Sequence, residues 1–88
     1  MKIYAYSLHD SKTGFQPPTF AYSDQAAIRD FGNAVLSHKG LFANYAADFT
    51  LYKIGYFDSD GGTLQAFDPE SLVNGMSFLH ERGDDNGE

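Results

Sequence analysis

The residues able to do chemistry in this 88-residue chain are three histidines, a group of carboxylates in one turn, a few serines, and tyrosines interleaved with lysines. His9, His38 and His80 lie far apart, and no pair has metal-ligand spacing. They read as solvated histidines near element ends. Asp58-Ser59-Asp60-Gly61 shares the first spacing of a calcium loop. Such a loop needs a further oxygen ligand before its glycine and a late glutamate. Here Phe57 precedes Asp58, and Phe67 stands where the glutamate belongs, so the segment reads as a hairpin turn. Ser7, Ser11 and the His9-Asp10 pair offer a nucleophile and a base. Nothing in their spacing fixes a geometry, and neither a nucleophile elbow nor a phosphate loop occurs. The absence of cysteine excludes disulfides, thiolate chemistry and cysteine metal sites. No enzymatic activity, metal or cofactor is expected.

The tyrosines are more informative. Strand alternation puts Lys2, Tyr4 and Tyr6 on one face of a first strand, and Tyr52, Ile54 and Tyr56 on one face of a later one. An exposed tyrosine face could stack bases, worth about 1–3 kcal/mol per base. Lys2, Lys12 and Lys53 would then lie near phosphates. Two other readings stand beside this one. The tyrosines could form the core under a helix, or a homo-oligomer interface, where tyrosine is also enriched.

The elements that must position these residues follow from local pattern. Residues 2–8 alternate as a strand, and His9 to Gly14 reads as a turn. Pro17-Pro18 permits only an edge strand after it, at Thr19–Tyr22. Ser23 is a good helix N-cap, with Asp24 suited to the positive end of the helix dipole. Ala27, Ile28, Phe31, Ala34 and Val35 form a one-sided apolar stripe. The helix is expected over Asp24–Lys39, with Gly40 beyond its end. Phe49–Phe57 is the strongest strand, and the Asp58–Gly62 turn returns it as Thr63–Phe67. Asp68-Pro69-Glu70 should end that strand, and residues 71–79 fit either a short strand or a loop. The expectation is an α+β domain: an antiparallel sheet of about four strands, order β-β-α-β-β, with one helix packed on one face.

Composition sets limits on partners and location. Eight Phe and six Tyr supply a dense core for a small domain. Residues 1–82 read as one domain and 83–88 as a flexible acidic tail. No signal-peptide pattern and no membrane-length apolar run appears, so a cytoplasmic setting is expected. The net charge is −6, with only six Lys and Arg, which argues against strong phosphate tracking by a monomer.

Several segments resemble, in order and spacing, the small non-structural protein of gokushovirus-type microviruses, which are single-stranded DNA phages. These are Asp10-Ser11-Lys12, Pro17-Pro18-Thr19-Phe20, Gln25 to Phe31 with Val35, and Asp48 to Asp58 with Gly61-Gly62 behind. The resemblance covers about residues 1–75. The chain departs from the pattern at Ala46-Ala47, where a proline is common. The resemblance implies a non-structural accessory protein in the host cytoplasm. It would bind single-stranded DNA during genome replication or the switch to packaging; together with the Tyr-rich strands and the low basic count, weak binding as a homo-oligomer is expected. Lys2, Tyr4, Tyr6, Lys12, Tyr52, Lys53 and Tyr56 are the expected contacts. The alternative is a protein–protein adaptor that binds a viral replication or capsid protein, or a host factor, without touching DNA.

Overall fold

The computed structural model describes residues 1–37 and 45–78. The chain runs through β1 (Lys2–Asp10), β2 (Gly14–Phe15), β3 (Thr19–Ala21), α1 (Asp24–Ser37), a 3-10 turn at Ala46–Asp48, β4 (Phe49–Asp58) and β5 (Thr63–Asn74). The fold is α+β. One antiparallel sheet has the order β2-β1-β4-β5, and β3 pairs with β1 on the same edge as β2. The helix covers one face.

Local chemistry explains these elements. The Ser23 hydroxyl accepts from the Ala26 amide at 3.1 Å, which caps the first turn of α1. Ala27, Phe31 and Val35 bury the helix stripe against Tyr6, Phe49, Leu51 and Ala46. Arg29, Asp30 and Asn33 face solvent. The expected extension of α1 to Lys39 and Gly40, His38, His80 and the acidic tail lie outside the described residues.

Three expectations are corrected. His9 and Asp10 belong to β1, because their backbones pair with Phe15 and Gly14 as well as with Thr50 and Phe49. The first turn is therefore shorter than its polar composition suggests. Next, β5 does not end at Asp68-Pro69-Glu70. Lys53 pairs with Glu70 and Gly55 with Ala66, so Phe67, Asp68 and Pro69 bulge out opposite Ile54 alone. A bulge on an edge strand tolerates a proline, whose missing donor breaks no ladder there. Strand pairing then resumes to Asn74.

The third correction matters most for function. Tyr6 pairs with Lys53 while Ala5 pairs with Gly55, which leaves Ile54 as an extra residue in β4. One inserted residue flips every later side chain to the other face. Tyr52 and Tyr56 therefore occupy opposite faces of the sheet.

Gly32, an apparent flaw inside α1, has a packing reason. A β-carbon there would sit 2.6 Å from the Phe78 ring. That ring also meets Phe31 edge-on at 5.6 Å. Gly32→Ala is expected to lose more in displaced Phe78 packing than the roughly 1 kcal/mol it gains in helix propensity. Urea unfolding should show a lower midpoint. A higher midpoint would mean that Phe78 gives way freely.

Candidate nucleic-acid interface

Two faces of the sheet carry the aromatic residues, and they differ in chemistry. On the helix side, the β1–β4 register sets Lys2 against Asp58, Tyr4 against Tyr56, and Tyr6 against Lys53. The result is a ladder of alternating charges and rings. The Lys2 Nζ sits 4.5 Å from the Tyr56 ring centre, and the Lys53 Nζ sits 4.0 Å from that of Tyr4. Tyr4 and Tyr56 meet edge-on at 6.2 Å. The Lys53 ammonium also pairs with Asp24 at 3.1 Å, and the Tyr6 hydroxyl donates to the same carboxylate at 2.7 Å. Asp24 thereby ties the start of α1 to the sheet.

Five of the expected contact residues thus come together, but as a packed structural unit. Tyr6 is only 1% exposed, so it cannot stack a base; this corrects its expected role. Lys2 and Lys53 lie over tyrosine rings, and Lys53 is further neutralised by Asp24. Burial, reinforced by the Asp24 hydrogen bond and charge, pushes the Tyr6 phenol well above its ordinary pKa. The Tyr6 hydrogen bond, aided by Lys53 and opposed by burial, holds the Asp24 carboxyl below the ordinary value.

A pH prediction follows from Asp24. Its folded pKa lies below its unfolded one, so its contribution to stability is present above the unfolded value near 3.9 and is lost as pH falls through the folded pKa. Tyr6→Phe removes the largest cause of the shift. It should cost about 1 kcal/mol at neutral pH. The cost should shrink in acid, where Asp24 is protonated in both proteins. Unfolding midpoints for the two proteins across pH check this. A constant difference at all pH values would contradict it.

The face away from α1 is different. His9, Phe15 and Tyr52 form a mutual aromatic triangle, with centroid separations of 4.6, 5.8 and 5.3 Å, all edge-on. They come from β1, β2 and β4, so three adjacent strands present them together. Phe15 is 51% exposed. Further along the same face, Ile3, Phe20 and Phe57 line a shallow apolar depression. The strand carboxylates with registered partners lie on the other side: Asp10 shares a face with Phe49, Asp58 with Lys2, and Glu70 with Lys53. Among the described residues, the strands of this acidic chain therefore present one nearly uncharged, aromatic sheet face.

Polar groups near the triangle are already engaged. The Ser7 hydroxyl donates to the Gln16 carbonyl at 2.6 Å. The Asn74 amide donates to Ala47 and Phe49 carbonyls and to the Thr50 hydroxyl, and its oxygen accepts from the Met76 amide. Lys12 lies exposed in the β1–β2 turn, beside a depression that it shares with Asp10, Tyr45, Asp48 and Phe49. Of the expected contacts, only Tyr52 belongs to the outer face. Sequence reasoning misses Phe15 and His9 because both fall in what reads as the first connection. The signal that marks them is an aromatic directly behind Gly14, at the point where a hairpin would return.

The Asp58 carboxylate accepts from the Asp60 amide at 3.0 Å, and Asp60 pairs with the Met1 amine at 2.7 Å. These acids shape the hairpin. Among the described residues, no three metal-ligating side chains gather.

The described residues form a small α+β domain, with one sheet face covered by α1 and the aromatic triangle on the other. Residues 3–78 match the family model described as Phage ORF5 protein, and the chain belongs to that family. No curated protein and no solved structure matches it significantly.

Proposed function

We propose that this phage protein is a non-catalytic accessory protein of a microvirus-type phage, and that it binds single-stranded DNA in the host cytoplasm. Bases stack on Phe15, His9 and Tyr52 of the outer face. The observation that carries this reading is the aromatic triangle, with Phe15 exposed and His9 and Tyr52 half-buried, on a face whose strand positions bear no paired carboxylate. Stacking on adjacent strands is tolerant of sequence, because every base has a π-face. The engaged state of Ser7 and Asn74 supports weak base discrimination, since base reading needs free donors and acceptors. Lys2 and Lys53 packed over tyrosine rings, with Lys53 paired to Asp24, point to few phosphate contacts. Genome replication or the switch to packaging is the stage such binding would serve.

One observation favours a second reading. The outer face is apolar rather than basic, and the chain carries a net charge of −6. A protein adaptor for a viral replication or capsid protein would use such a face without DNA. A pulldown with the phage replication initiator or procapsid, run beside an oligonucleotide titration, separates the two. Capture without oligonucleotide binding selects the adaptor.

A further inference from the structure

The two edges of the sheet are unequal. The edge formed by β2 and β3 is short, only two and three residues, and interrupted by Pro17-Pro18. Such an edge resists strand addition. The other edge is β5, which has no strand beyond it among the described residues. Its first part, Thr63-Leu64-Gln65-Ala66-Phe67, is uncharged and free of Gly and Pro, and all of it is exposed. Leu64 is 73% exposed and Phe67 39%. A row of unpaired backbone donors and acceptors behind apolar side chains is a template for another strand.

We infer that this edge pairs with the same edge of a second copy, antiparallel about Gln65, to make a closed dimer. Two features select a second copy. The segment carries no charge, so it offers nothing to an oppositely charged partner, and main-chain pairing is self-complementary. Placing Gln65 on the two-fold axis sets Leu64 of one copy opposite Ala66 of the other. The blocked far edge then stops growth at two, since an isologous contact uses up the one open edge. Beyond Ala66 the bulge of Phe67, Asp68 and Pro69, which brings a charge and a residue without a backbone donor, ends the pairing within the neutral segment.

A two-fold axis perpendicular to the sheet keeps both outer faces on one side. The dimer therefore doubles the aromatic surface on a continuous sheet. That consequence rests on the single-stranded DNA reading; the pairing itself does not.

The test is the mass in solution, measured without DNA by light scattering and sedimentation. Wild-type protein should show twice the chain mass, and Gln65→Lys should halve it by placing two ammonium groups on the axis. Circular dichroism verifies that the variant is folded. A second variant guards against misfolding: Gln65→Cys in this cysteine-free chain should form an intermolecular disulfide on mild oxidation, because directly opposed residues have bridgeable spacing. Thr13→Cys should not. Wild-type protein that stays monomeric at every concentration overturns the inference. So does a dimer that survives Gln65→Lys while the Gln65→Cys variant stays unlinked. A monomer that gains mass only with another phage protein assigns the edge to that partner and equally overturns it.

Discussion

Tyr6→Ala should remove most of the stability of this domain. The side chain is nearly fully buried among Phe31, Val35, Phe49 and Leu51, and its hydroxyl holds Asp24 at the start of α1. Truncating a large buried aromatic costs about 3–5 kcal/mol through lost transfer energy and the cavity left behind. A domain of this size has roughly 4–13 kcal/mol in total. Chemical denaturation should therefore show a midpoint collapsed towards zero denaturant, or a chain already partly unfolded. Tyr4→Ala offers the contrast. Tyr4 sits on the same face but only half-buried, and its loss should cost much less. Equal, small effects at both positions would contradict the packing of Tyr6 under the helix.

The second large effect concerns binding. Phe15→Ala combined with Tyr52→Ala should weaken binding to a single-stranded oligonucleotide by roughly 30-fold or more, taking about 1–3 kcal/mol per stacked base. The fold should persist, because Phe15 is half exposed and neither residue is in the central cluster. Tyr56→Ala, on the helix-side ladder, should leave binding within a small factor of wild type. The two tyrosines are equivalent by alternation, and the bulge at Ile54 separates them. Fluorescence anisotropy titrations of the three proteins check this. Loss of binding in Tyr56→Ala with none in the double variant would move the interface to the other face.

Much of the scaffold is legible in the sequence because local signals agree with tertiary need. Ser23 caps the helix as its type suggests, and the Ala27–Phe31–Val35 stripe is the stripe that packs. The β1 alternation of Lys2, Tyr4 and Tyr6 also holds. What alternation cannot say is which face the helix covers, since Tyr serves a core and a surface equally well. For Tyr6 the core reading applies, with Asp24 receiving its hydroxyl. The bulge at Ile54 is invisible because an inserted residue leaves no mark in an apolar strand, yet it decides where every later side chain points. Pro69 misleads for a related reason: a proline ends a regular ladder but fits a bulge on an edge. Phe15 is hidden by its neighbours, since a two-residue strand between Gly14 and Pro17-Pro18 has no periodicity to read.

The most direct measurement is titration of the wild-type protein with a fluorescent single-stranded oligonucleotide across a salt series, with duplex DNA in parallel. Binding through the outer aromatic face should be saturable, should favour the single strand, and should weaken only shallowly with salt, because stacking rather than phosphate neutralisation supplies the affinity. No binding at low salt, or a steep salt dependence with equal affinity for duplex, would contradict the aromatic face as a nucleic-acid interface.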